Sequence, residues 1–150
     1  MAKARAASAR RIDELRTVLE RIPYCRFLGI TLVPGDDGGL LSKLCFAEHI
    51  VGNAALPAIH GGAIGAFLET AALIEVMAQV PAAVLPKPID ITIAYLRSAR
   101  AVDTFARATV TKHGRRVTNV RVEAWQDDAA RPIATAQGHF LVLPDERAAS

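Results

Sequence analysis

Little in this chain can hold it together except packing. Only two cysteines occur in its 150 residues, Cys25 and Cys45, and they form no C-x-x-C pair, so neither a disulfide framework nor a zinc site organises the fold. Cys45 falls in an apolar alternating stretch and reads as a small core residue. His113 and His139 have no partners at metal-ligand spacing and read as ordinary polar residues, so no metal is expected. Aromatic residues make up 5% of the chain. The core must therefore be aliphatic, and the strands offer no platform for stacking bases. Charge of one sign is also scarce: the net charge is +3, with much of the excess in Lys3, Arg5, Arg10, Arg11 and Arg16. A basic arm can meet nucleic acid or anionic lipid, but a solvated tail is the plainer reading, and neither partner is expected. The charged N-terminus carries no apolar segment of the secretory kind, so the expectation is a cytoplasmic protein with reduced thiols.

What is present is a single core's worth of apolar residues, 51% of the chain. Residues 9–22 predict an amphipathic helix, with Ile12, Leu15, Val18, Leu19 and Ile22 at helical spacing, Ser8 as N-cap and Pro23 as stop. Phe27–Val33 reads as a strand entered through Gly29, Pro34–Gly39 as a turn, and Leu40–Phe46 as the hairpin partner. Glu48–Pro57 reads as a loop. Ala58–Val80 is almost wholly apolar. Its two carboxylates, Glu69 and Glu75, argue against a membrane span, and a helix apolar on nearly all sides is a buried central helix. Four alternating strands follow. Their expected inward sets are Ile89, Ile91, Ile93 and Tyr95, then Ala106, Ala108 and Val110, then Val120, Val122 and Ala124, with residues 133–143 closing the sheet. The fold class is α+β: an antiparallel sheet of about six strands wrapped around one long helix, with a further helix at the N-terminus. Residues 1–23 form the basic arm and first helix, 24–143 the main domain, and 144–150 a tail.

His60-Gly61-Gly62 stands just before the buried helix. The first N–H groups of a helix lack intrahelical partners and lie at the positive end of its dipole, where they can bind an oxyanion. Glycine lets a substrate carbonyl come close to them. Glu69 follows His60 by nine residues, about two and a half turns. It is either an ion-paired structural residue or a site carboxylate. Glu75 lies roughly 240° round the helix from it, so the two do not make a paired-carboxylate site.

His60-Gly61-Gly62 with Glu69 resembles the hotdog-fold thioesterases of the phenylacetate-pathway (PaaI-like) and 4-hydroxybenzoyl-CoA types. Phe27-Leu28-Gly29-Ile30, Val51-Gly52-Asn53, Tyr95-Leu96-Arg97-Ser98, Gly114-Arg115-Arg116 and Ala134-Thr135-Ala136-Gln137-Gly138 extend the likeness over roughly residues 24–143. The resemblance implies hydrolysis of an acyl-CoA or aryl-CoA thioester, with Glu69 as nucleophile or general base. It implies that the Gly61 N–H polarises the thioester carbonyl, that His60 shapes the site, and that Asn53 positions substrate or water. CoA enters as part of the substrate, and no separate cofactor is implied. The resemblance also implies a homodimer or homotetramer whose sites lie between subunits. Gly62 would face the substrate, and Arg115 and Arg116 are either a solvated turn or a grip on the CoA phosphates. Arg97 is a pairing residue or a substrate contact. A noncatalytic acyl-CoA or lipid-binding module of the same fold is the alternative. A dehydratase would need a second acid or histidine beside Glu69, and the sequence has none.

Overall fold

In the computed structural model, which describes residues 2–79 and 85–143 and side chains from Arg10 onward, two helices lead into the sheet: α1 (Ala2–Arg21) and α2 (Pro23–Leu28). The hairpin β1 (Ile30–Pro34) and β2 (Leu40–Leu44) follows, then a small hairpin of β3 (Val51–Asn53) and β4 (Ala58–Ile59). Helix α3 (Gly61–Gln79) comes next, and β5 (Lys87–Tyr95), β6 (Thr104–His113), β7 (Val117–Trp125) and β8 (Ala134–Leu141) complete the chain. The main sheet has six strands in the order β1-β2-β6-β7-β8-β5, every neighbour antiparallel. Helix α3 packs on five of them. This is the sheet-around-a-helix architecture that the sequence implies.

Each layer mixes large and small buried residues, so that the two can interlock. The sheet offers Ala106, Ala124, Ala134 and Ala136 beside Val120, Val122 and Phe140, and α3 supplies Ile64, Phe67, Leu68 and Ile74 beside Ala71 and Ala72, all nearly inaccessible. Burying each of these large side chains is worth roughly 1.5–3 kcal/mol, which is what fixes so apolar a helix on the sheet. By length and composition α3 could cross a membrane, yet half of it is buried inside this protein. Its least covered stripe carries Gly62, Ala66, Glu69, Thr70, Leu73 and Met77.

Several expectations are corrected. Helix α1 begins at Ala2, so Ser8 lies inside it rather than capping it. Pro23 does not merely stop α1: it sits in the first turn of α2, so Phe27 and Leu28 are helical. Gly29 is the left-handed C-cap of that helix, with φ 75°, and the strand starts at Ile30. The stretch read as a loop contains β3, and Ala58 and Ile59 belong to β4, so the long helix begins at Gly61. The end of that helix at Val80 and the tail 144–150 lie outside the described residues. Cys25 is the buried cysteine and Cys45 only half-buried, because Cys45 lies past the end of β2. Burial pushes the Cys25 thiol up, opposed by a bond to Thr70, which leaves it a packing residue. On β5 only Ile91 and Ile93 pack on the core. Ile89 is exposed because a bulge between Pro88 and Asp90 leaves it without a partner, and Tyr95 turns to another task described below.

The two edges of the sheet differ. An outward carbonyl of β1, that of Leu32, accepts two bonds from the Arg16 guanidinium of α1, at 3.0 and 2.7 Å. Strand β5, nine residues long, has β8 on one side and no neighbour on the other among the described residues. Helix α1 also closes the far end of α3, where Arg11 donates to the carbonyls of Met77 (2.7 Å) and Ala78 (3.4 Å). A cation on the last free carbonyls of a helix satisfies both hydrogen bonding and dipole. Arg11→Ala should therefore lower the unfolding free energy by about 1–2 kcal/mol in urea denaturation, and an unchanged midpoint would show that this cap contributes nothing.

Candidate active site

His60 is the N-cap of α3. Its backbone is clamped on both sides: its N–H donates to the Ile50 carbonyl at 2.8 Å, and its own carbonyl accepts from Ala63 (2.9 Å) and Ile64 (3.2 Å). Its ring does what a capping serine or aspartate usually does. Nδ1 accepts the Gly62 N–H at 2.8 Å. A backbone amide can only donate, so Nδ1 is the unprotonated nitrogen and the ring proton sits on Nε2. The close fit needs glycine on both flanks. A Cβ at Gly52 would lie 2.8 Å from the His60 Cα, and one at Gly62 would lie 2.9 Å from Nδ1.

The two glycines opening the helix thus have different fates. The Gly62 N–H is taken by His60, whereas the Gly61 N–H has no acceptor among the described residues and lies exposed at the positive end of α3. The Gly61 carbonyl accepts the Tyr95 hydroxyl at 2.8 Å. Gly65, one turn on, lets the tyrosine in: a Cβ there would come within 3.3 Å of the hydroxyl and 3.0 Å of Ile93 Cδ1. Beside Gly61 and Tyr95 opens a pocket of about 430 Å³, further lined by Ile64, Arg97, Ser98 and Ile133. Arg97 also donates to the Pro132 carbonyl at 2.6 Å.

Glu69 is half-buried on the least covered stripe of α3, and no side chain among the described residues bonds to its carboxylate. Seven residues separate it from Gly62, two turns less about 20°, so both lie on one side of the helix about 10 Å apart along its axis. Glu69 does not line the pocket beside Gly61. Glu75 is also half-buried and points elsewhere on the helix. Desolvation raises its pKa above the ordinary carboxylate range, while a bond from Gln79 pulls the other way. Asn53 spends its Oδ1 on the turn after β3, accepting from Ala55 (3.0 Å) and Leu56 (3.3 Å), and keeps its amide NH₂ free to donate.

Arg115 and Arg116 are exposed in the turn between β6 and β7. That turn is tied to the end of β8 by the Val142 N–H on the Arg116 carbonyl, and the neighbouring Leu141 pairs with Lys87 at the start of β5. Tyr95, at the other end of β5, is the residue at Gly61. Within one chain the arginines and Gly61 therefore stand at opposite ends of the sheet, about 25 Å apart by strand rise. His113 bonds Thr118 and His139 bonds Asp90, each as a local polar pair. Tyr95 and Gly65 were not expected at the site. A glycine in a helix interior, which costs about 1 kcal/mol against alanine, is the signal that marks a close approach there.

This fold and this helix entry define a hotdog protein of the thioesterase superfamily. Residues 52–141 match the family model described as the acyl-CoA thioesterase N-terminal domain. The chain belongs to this thioesterase family. A solved protein of Chromobacterium violaceum is 34% identical, with 97% of this chain and 100% of that one covered and a TM-score of 0.73. A phenylacetic acid degradation-related protein of Ralstonia eutropha JMP134 is 25% identical over 85% of this chain and 98% of that one, with a TM-score of 0.71. A Bacillus halodurans protein solved with CoA shares the fold at 20% identity, covering 94% of each chain, with a TM-score of 0.72. No curated protein matches the chain significantly.

The glycine geometry separates two otherwise similar substitutions. Gly62→Ala drives a methyl into the capping ring and should lower stability by about the worth of an N-cap, 1 kcal/mol. Gly61→Ala meets the Tyr95 ring at an ordinary 3.5 Å and should melt at or above the parent temperature. Thermal melts of the two variants check the ordering, and the reverse order would remove the capping role from His60.

Proposed function

We propose that this protein hydrolyses an acyl-CoA or aryl-CoA thioester to the free acid and CoA. Glu69 acts as nucleophile or as the general base for water, and the Gly61 N–H polarises the thioester carbonyl. The observation that carries this reading is the division at the helix entry. The Gly62 N–H is committed to the His60 cap, and the Gly61 N–H before it has no acceptor among the described residues and stands at a dipole terminus beside a pocket, in a chain of the thioesterase family. As base, Glu69 would take a proton from the attacking water. As nucleophile, it would form an anhydride that water then opens. Either way the thiolate of CoA leaves and is protonated. The Bacillus halodurans neighbour that holds CoA supports the same substrate class.

The spacing on α3 argues that the site is shared. About 10 Å of helix between Gly62 and Glu69 exceeds the reach of one carboxylate side chain to a carbonyl held at Gly61. Two copies joined along the open edge of β5 resolve this. Antiparallel pairing about a two-fold axis sets the Lys87 end of one strand against the Tyr95 end of the other. It also brings the Arg115–Arg116 turn of one copy toward the Gly61 end of its mate, where two guanidiniums suit the phosphates of CoA. The β1 edge, occupied by Arg16, is unsuited to such pairing. A dimer is the minimum assembly, and a tetramer repeats it.

Glu69→Gln should lower kcat at least about a hundredfold on the CoA esters the parent cleaves, with an unchanged melting temperature. Release of free thiol from short-, medium-, long-chain and aryl-CoA esters is the assay. Tight acyl-CoA binding without turnover by the parent would select a binding module instead. Glu75→Gln is the control. Because burial favours the neutral carboxyl there, its stabilising contribution is present at acid pH and lost as pH rises through its raised pKa. The glutamine variant should therefore be active and no less stable than the parent above neutrality.

Shared sites predict complementation. Gly61→Pro deletes the free N–H at a helical position where proline is well tolerated. A hybrid of Gly61→Pro and Glu69→Gln chains should regain activity, since one of its two sites is intact. No recovery in a verified hybrid would put both groups in the same chain.

A further inference from the structure

Tyr95, Gly61, Gly62 and His60 form one directed line of hydrogen bonds. The Tyr95 hydroxyl donates to the Gly61 carbonyl at 2.8 Å. That carbonyl belongs to the same peptide group as the Gly62 N–H, which donates to His60 Nδ1 at 2.8 Å. The ring proton on Nε2 is the last donor, and the ring is exposed. Every bond runs the same way, and aligned bonds polarise one another. The hydroxyl draws electron density onto the Gly61 oxygen, which makes the Gly62 N–H a stronger donor. A stronger donor at Nδ1 holds the imidazole in its Nε2–H tautomer.

We propose that Tyr95 is a positioning residue for the thioesterase reaction, acting through the Gly61–Gly62 peptide to hold His60 in the tautomer that leaves its Nε2–H free to donate. This rests on the function proposed above and adds a second donor to it. The exposed His60 Nε2–H, on the residue next to Gly61, then serves as an uncharged donor to the negative charge that develops as the thioester is attacked. His60 is then not the base of the reaction, because its one lone pair is occupied by the helix cap. Tyr95 does not act as a base either, since its proton is committed to the Gly61 carbonyl. The packing is built around this contact. Gly65 leaves room for the hydroxyl, and the tyrosine ring lies close beside Gly61, where an added Cβ would meet it at 3.5 Å, so the ring can stay in place when the hydroxyl is removed. The same ring lines the pocket beside Gly61.

The test is Tyr95→Phe, read in two independent ways. The first is the pair of imidazole ¹⁵N chemical shifts of His60 in the labelled protein without substrate. The parent should show an unprotonated Nδ1 and a protonated Nε2, and the variant should move toward a mixture of tautomers. The second is steady-state cleavage of the best CoA ester in the panel. The variant should lose roughly threefold or more in kcat, with KM and the melting temperature little changed, because the lost interaction serves the reacting state. Identical His60 spectra in the two proteins, or a kcat change below about twofold, would overturn the relay. If the parent cleaves no thioester at all, the proposed reaction fails, while the His60 spectrum still decides whether Tyr95 controls the imidazole.

Discussion

The constraint on which this structure depends is the need to cover a helix that is apolar almost all the way round. This sheet sets Ala106, Ala124, Ala134 and Ala136 among larger residues such as Val120, Val122 and Phe140, and the helix sets Ala71 and Ala72 beside Phe67 and Leu68, so the two layers interlock. Close approach then dictates the details at the helix entry. A Cβ at Gly65 would crowd Ile93 Cδ1 at 3.0 Å and the Tyr95 hydroxyl at 3.3 Å, so the glycine lets β5 lie close to α3 there. Tyr95, at the end of the same face of β5, reaches the carbonyl of Gly61. The chemistry at the head of the helix is therefore a consequence of how tightly its body is packed.

The parts legible in the sequence are those whose signal is local and periodic. The buried run of α3 and the alternation of Val120, Val122 and Ala124 reach the inner face as their spacing requires, with exposures of at most 1% on the strand. Helix α2 was hidden because six residues contain less than two turns, too few for a period to emerge, and its glycine stop resembles the bend before a strand. The extra turns at the start of α1 were hidden for a different reason: an alanine- and arginine-rich stretch has helical propensity without an apolar stripe. The exposure of Ile89 follows from a bulge that alternation cannot reveal. At the site, His60, Gly61 and Gly62 could be read together because they are contiguous. The separate duties of the two glycine amides could not, since they depend on where one imidazole nitrogen falls. Tyr95 arrives from thirty-four positions away, and only the strand order brings it there. Strand direction likewise separates the Arg115–Arg116 turn from Gly61 within one chain.

Polar groups elsewhere serve to lock the frame that holds the site. Asp103 accepts the Phe46 N–H at 2.8 Å and the Lys43 ammonium at 2.9 Å, and these bonds hold its carboxyl below the usual carboxylate range. The contact ties the end of β2 to the approach of β6, where the sheet turns from its first hairpin to its second half. Ile59 N–H on the Ala99 carbonyl does the same for β4, immediately before the helix cap. The entry to α3 is thus anchored by backbone bonds on either side of His60, and its geometry does not rely on exposed ion pairs, which are worth little in water.

The two glycines that flank His60 are constrained by different atoms, and this sets the order in which such a sequence can drift. A side chain at Gly52 collides with the backbone of residue 60, at 2.8 Å from its Cα, so the restriction persists whatever residue stands there. A side chain at Gly62 meets only the imidazole, at 2.9 Å from Nδ1 and 3.1 Å from Cε1. Position 62 is therefore freed once the histidine is lost, whereas position 52 is not. A lineage that abandoned this chemistry would be expected to release its second helix glycine after its histidine, and to keep the glycine of the preceding hairpin as a relic of the fold.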